Sequence, residues 1–111
     1  MLFAWDDSNI EHIAKHGVTP TEAEHVVSHA RDPWPAQKGD DRLVVWGGTD
    51  VGRLLQVIFV LRHADEVEFE SLTIDEWADL NDDDEVIYVV HAMDLTPGMK
   101  KLYRKRRRSD R

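Results

Sequence analysis

Cysteine is absent from this 111-residue chain, which excludes disulfides and thiolate metal sites and removes any mark of an oxidising compartment. No stretch approaches the roughly 20 consecutive apolar residues that span a bilayer. The start also lacks the cationic segment followed by an apolar one that marks a secretory leader. A cytoplasmic protein that does not enter membranes is therefore expected. Positive charge is missing from one whole region: residues 65–85 hold eleven carboxylates and neither Lys nor Arg. Internal repeats and low-complexity linkers are lacking too, apart from the charge runs "DDDE" and "RKRRR".

The residues present describe a folded chain. A length of 111 residues suits one domain with a modest core and is too short for two ordinary ones. A composition of 41% hydrophobic and 32% charged residues, with all four Trp inside patterned segments, argues against disorder. The formal net charge of −8 hides a segregation, because Lys100, Lys101, Arg104, Lys105, Arg106, Arg107, Arg108 and Arg111 are eight of the fourteen basic residues. Charge sorted this way points to a charged partner or to internal pairing, against the plain alternative of a solvated acidic loop and a frayed basic tail.

Periodicity and punctuation give the elements. A short apolar strand precedes Asp6, Asp7 and Ser8, which are candidate N-caps for a first helix carrying Ile10, Ile13 and Ala14 and stopped by Gly17. Thr19, Pro20 and Glu22 form a capping box for a second helix over about 20–30, with Ala23, Val26, Val27 and Ala30 as its apolar stripe. Pro33, Trp34, Pro35, Gly39, Asp40 and Asp41 mark a connecting loop, in which Trp34 is either an exposed anchor or a plug over the core. Residues 41–61, "DRLVVWGGTDVGRLLQVIFVL", read as a hairpin whose second strand is apolar on both faces and therefore central. The following acidic insert, about 63–85, carries strand-like alternation at Val67 and Phe69 and a capped helical turn over 74–80; Trp46 and Trp77 read as core. "VIYVVHAM" is the last strand, and Thr96 with Pro97 starts a basic helix whose apolar edge is Met99, Leu102 and Tyr103. The predicted class is α+β: a small antiparallel sheet with two N-terminal helices and a C-terminal basic helix, in a single domain over 1–111 with its basic tail at 100–111.

The ordered set Trp5-Asp6, Asn9, "KHGV" (Lys15 to Val18), "TPTEA" (Thr19 to Ala23), Arg42, "GRLLQV" (Gly52 to Val57) and a Thr-initiated basic helix with "LYR" resembles the BrnT family. That resemblance implies a RelE/ParE-like fold, a toxin of a type II toxin-antitoxin system and metal-independent RNA cleavage, in which the ribose 2′-hydroxyl attacks the adjacent phosphate. Such chemistry needs a cation against the developing phosphorane charge and groups that move protons. The family pattern carries those roles onto Lys15 or His16, Arg53, and Tyr103 with Arg104. It also implies a cognate antitoxin, a ribbon-helix-helix or similar DNA-binding protein, alongside the RNA itself, and no cofactor. Where the family commonly ends the last strand with Ser-Ala-Arg, this chain has His91, Ala92 and Met93, and methionine cannot bind phosphate.

Other candidates come from the residues themselves. His91 has the chemistry of an acid or base near neutrality, against the plainer reading of a strand histidine facing loop or water. Lys100, Lys101, Lys105, Arg107 and Arg108 spread around the last helix, which favours phosphate contacts over a membrane-binding face. His12 with His16, and His25 with His29, sit at i, i+4, a spacing able to chelate zinc, although exposed helix histidines are the commoner outcome and no metal is expected. His16 also suits a helix C-terminus, and Tyr103 suits a core edge. Two further readings stay open: a catalytically inactive member of the same fold that binds protein or nucleic acid, and a homodimer in which the acidic insert of one copy meets the basic helix of another.

Overall fold

The computed structural model describes residues 2–67 and 80–109, with side chains through Arg106. Its elements run β1 (Phe3–Ala4), α1 (Asp7–Ala14), α2 (Pro20–Ser28), β2 (Ala36–Lys38), β3 (Arg42–Gly48), β4 (Leu54–His63), a 3₁₀ turn (Ala64–Glu66), β5 (Glu85–Asp94) and α3 (Pro97–Ser109). The fold is α+β, with a five-stranded sheet in the order β1-β5-β4-β3-β2.

Local chemistry explains the helix ends. Asp6 is the N-cap of α1, accepting from the Asn9 backbone N–H at 2.9 Å while the Asn9 side chain accepts from the Asp6 N–H at 2.8 Å. Asn9 is itself buried, and its Nδ2 donates to the Ala4 carbonyl at 3.1 Å, tying the helix to β1. Gly17 takes φ +69°, the left-handed conformation that reverses the chain after α1. Thr19 and Glu22 form the expected capping box of α2, and the Thr96 hydroxyl accepts from the Met99 N–H at 3.2 Å at the start of α3.

Two parts of the sheet differ from the sequence expectation. The sheet is mixed, because β1 pairs in parallel with β5 through Phe3↔Ile87 and Ala4↔Tyr88. Two residues carry no alternation, so this pairing left no trace in the pattern. The segment expected to be loop also contains β2, which runs antiparallel to β3 through Ala36↔Val44 and Lys38↔Arg42. Gly39 at φ +73° makes the reversal, and Gln37 Nε2 spans it by donating to the carbonyls of Gly39 at 2.8 Å and Asp40 at 3.1 Å. The helical turn expected over 74–80 lies, except for Leu80, outside the described residues, as does Trp77.

β4 is the central strand, as its apolar run predicts. Leu55, Val57 and Phe59 enter the main core with Ile13, Val18, Ala23, Val26, Val45, Ile87, Val89 and Ala92, while Ile58 and Val60 on the other face are buried too. The β4–β5 ladder slips between Ile58 and Phe59: Phe59 pairs with Val89 but Ile58 pairs with His91, leaving Val90 as the extra residue of a β-bulge. Trp34 is buried and packs between Trp46, at 5.9 Å between ring centroids, and Tyr103, at 5.2 Å. It is a plug, and it anchors α3. Leu102, expected on the apolar edge of α3, is 42% exposed; the inward positions are Met99 and Tyr103, four residues apart.

Because β4 supplies both core faces, Leu55→Ala should cost about 2–5 kcal/mol in urea unfolding. Val51→Ala, in the exposed β3–β4 turn at 82% accessibility, should change stability by no more than about 0.5 kcal/mol.

Candidate functional site

The packing of α1 against β5 brings histidines together from two elements. His12 and His16 follow one another at i, i+4, so both project from one side of α1 and its C-terminal turn. His91 arrives from β5. Its Nδ1 lies 3.5 Å from His12 Nε2, and its ring centroid lies 5.6 Å from that of His12 and 5.0 Å from that of His16, the latter nearly edge-on at 72°. Burial, reinforced by the neighbouring His16, His12 and Lys38, holds the His91 pKa below the ordinary imidazole value.

Beside this cluster stands an ion-pair node built on Arg53, in the β3–β4 turn. Its Nε donates to Asp94 Oδ1 at 2.7 Å and its Nη2 to Asp94 Oδ2 at 2.9 Å, a bidentate pair. The remaining donors reach the carbonyls of Gly17 at 2.8 Å and His16 at 3.3 Å, and Glu22 Oε2 at 3.3 Å. Asp94 raises the Arg53 pKa still further, and the Arg53 hydrogen bond lowers that of Asp94. Lys100 and His16 lie close enough to Asp94 to lower it as well, which places the first turn of α3 at this corner.

The sequence-predicted residues divide accordingly. His16, His91, Arg53 and Lys100 converge on the corner, and Lys15 is exposed next to His16 at the C-cap of α1. Arg53 is committed to two carboxylates and two carbonyls, so it positions the His16–Gly17 turn. Tyr103 belongs to the aromatic core with Trp34. Arg104 is exposed on α3, as are Lys101, Lys105 and Arg106; the side chains of Arg107 and Arg108 lie outside the described residues. Met93 is half-buried opposite Gln56 of β4. His25 and His29 stack at 4.1 Å, with His29 Nδ1 2.8 Å from the His25 carbonyl, and among the described residues no third group joins them.

Two participants escaped the sequence reading. Asp94, the last residue of β5, is the single acid from Val86 through Ser109, and that isolation was a usable signal. His12 was legible as a partner of His16 but not of His91, since only the tertiary packing of α1 on β5 joins them. No protein-family model, curated protein or solved structure matches the chain. Among the described residues no helix is long and apolar enough to cross a membrane.

The depressed Asp94 pKa has a defined sign. The stability it contributes is fully present above the ordinary aspartate value of about 4 and is lost as pH falls through the lower folded value. Arg53→Met should destabilise the protein by about 1–2 kcal/mol, allowing for solvent screening of a pair that is 30% and 56% exposed. The difference between wild type and variant, followed by urea unfolding, should shrink toward acid pH.

Proposed function

We propose that the chain acts on RNA as a BrnT-like endoribonuclease of a type II toxin-antitoxin system. The convergence of His16 and His91, beside His12, at the edge where basic helix α3 begins is the observation that carries this reading. Cleavage by the 2′-hydroxyl needs one group to take the hydroxyl proton and another to return a proton to the departing 5′-oxygen. Two imidazoles from different elements suit that exchange. The new O–P bond forms as the P–O5′ bond breaks, and no other reactant is required. Lys100, with Lys101, Arg104 and Lys105 along α3, supplies positive charge for the phosphates on either side. Arg53 enters as the residue that holds the His16 backbone, not as the phosphate ligand. The partner on this reading is a ribbon-helix-helix or similar antitoxin, whose neutralising contacts would cover the same edge.

A second reading is favoured by one specific feature. With Met93 where the resemblance leads one to expect arginine and Arg53 occupied by Asp94, neither the end of β5 nor the β3–β4 turn contributes an uncommitted cation to this edge among the described residues. A binding module that engages RNA or a partner through α3, without turnover, fits that arrangement.

Cleavage of a defined RNA by the purified chain separates the two. On the first reading His16→Ala and His91→Ala each reduce the single-turnover rate by about 10²–10⁴-fold, with RNA affinity nearly unchanged, and expression of the intact chain arrests growth. On the second there is no cleavage to lose, while Lys101→Ala with Arg104→Ala weakens RNA binding and flattens its salt dependence by about one slope unit per lost phosphate contact. Absence of both cleavage and salt-dependent RNA binding would overturn the first reading and the RNA-binding form of the second.

A further inference from the structure

We infer that His12 is a positioning residue for His91: its Nε2 accepts from the His91 Nδ1–H and so leaves His91 Nε2 as the bare nitrogen that takes a proton. The pairing rests on the ring geometry; its use in cleavage rests on the ribonuclease reading, in which His91 is the base. His91 Nδ1 and His12 Nε2 lie 3.5 Å apart, with the ring planes inclined at 59°. Two lone pairs would face each other at that distance unless one nitrogen carried a proton, so the neutral pair holds a single shared N–H.

The hydrogen bond made by one ring nitrogen decides what the other can do. Either imidazole could donate, and the surrounding charge selects the direction. α1 packs on β5, next to the β1 edge of the sheet, whereas Lys38 belongs to β2 at the opposite edge. The two nitrogens of an imidazole point in nearly opposite directions, so with Nδ1 turned to α1, Nε2 is turned away from it. Lys38 is among the cations that act on this ring. Its charge attracts a lone pair on Nε2 and repels an N–H there, which leaves the proton on Nδ1. Burial, joined by His16, His12 and Lys38, holds the His91 pKa below the ordinary imidazole value, so Nε2 stays bare near neutral pH.

The helix that carries His12 is tied on both sides of it. Asn9 Nδ2 donates to the Ala4 carbonyl of β1 at 3.1 Å, and β1 pairs with β5. Arg53 holds the His16 and Gly17 carbonyls. The imidazole pair is thus prepared before any substrate arrives. In cleavage, His91 Nε2 takes the 2′-hydroxyl proton as that oxygen bonds to phosphorus, the P–O5′ bond breaks, and His16 returns a proton to the 5′-oxygen. His12 keeps its hydrogen bond to the imidazolium formed on His91, the part an orienting acceptor plays behind a general base.

The test is nitrogen NMR of the isotope-labelled full-length protein at about pH 8, above the ordinary imidazole value. His91 should show a protonated Nδ1 and a bare Nε2, the reverse of the form neutral histidine favours in water. His12→Ala, at an exposed helix position, should return His91 to the Nε2–H form. His12→Gln, whose side-chain carbonyl also accepts, should restore the Nδ1–H form. His29 serves as an internal standard: its Nδ1 lies 2.8 Å from the His25 carbonyl, which can only accept, so its signals should ignore both variants. In single-turnover cleavage, His12→Ala should lower the rate about tenfold or more, with RNA affinity nearly unchanged, and His12→Gln should recover part of the loss. An Nε2–H His91 in the wild-type protein, an Nδ1–H form that survives His12→Ala, or a cleavage rate indifferent to that substitution would overturn the inference. A chain that cleaves no RNA refutes the ribonuclease reading, and with it the use of His91 as a base, while the NMR measurement still decides the pairing.

Discussion

The guanidinium of Arg53 is the joint on which the seating of both N-terminal helices against the sheet depends. It leaves the β3–β4 turn and meets the end of β5 at Asp94, the end of α1 at the His16 and Gly17 carbonyls, and the first turn of α2 at Glu22. Only a planar fork of donors reaches so many acceptors at once; a lysine ammonium, a point charge, would satisfy a subset and leave the α1–α2 turn untied. Glu22 is shared in a way that couples local to tertiary structure, because the same carboxylate accepts from the Thr19 N–H at 3.0 Å to close the α2 cap. The helix start and its docking are therefore one hydrogen-bonded unit, and the exposed position of its charges limits its strength without altering its geometry.

Much of this architecture was legible where a residue type acts locally. Thr19, Pro20 and Glu22 announce α2 because capping chemistry is complete within four positions, and the unbroken apolar run of Leu54 to Leu61 announces a strand covered on both faces. Legibility failed where tertiary packing decides. β1 is two residues long, and β2 follows two prolines and is held by its register with β3; Tyr103 was legible as a core edge, but its contact with Trp34 was not. Arg53 was legible as an important cation, but its partners at 17, 22 and 94 are separated in sequence and share no pattern. The candidate site followed the same division: its histidines and Arg53 could be nominated singly, while Asp94 and the meeting of His91 with α1 were not.

The charge at this corner is local. The whole chain carries a formal −8, yet at about 0.15 M salt the screening length is near 8 Å, so a phosphate at the edge responds chiefly to the groups within that distance. Around β5 those include the imidazoles, Lys38 and Lys100, set against Asp94, whose charge is largely answered by Arg53. Met93 adds nothing electrostatic; paired with Gln56 on β4, it leaves the strand end without a cation. An anion held here can draw on Lys100 of α3 and on Lys38 of β2, which ties the histidine cluster and the basic helix into one surface.

The bulge at Val90 is what makes that surface available. Before it, Ile87 and Val89 point into the main core; after it, Ala92 does. Strand side chains alternate with period two, so a regular β5 would send residue 91 to the core and residue 92 outward. His91 would then occupy the place now taken by fully buried Ala92, among the apolar side chains of the main core. One inserted residue solves both problems: it keeps the small apolar side chain inside and delivers the histidine to α1. The extra residue costs a ladder position in the sheet's most extensive pairing, between β4 and β5. That cost falls beside the place at this corner where imidazoles from two parts of the fold meet, which is where a strand irregularity has chemical use.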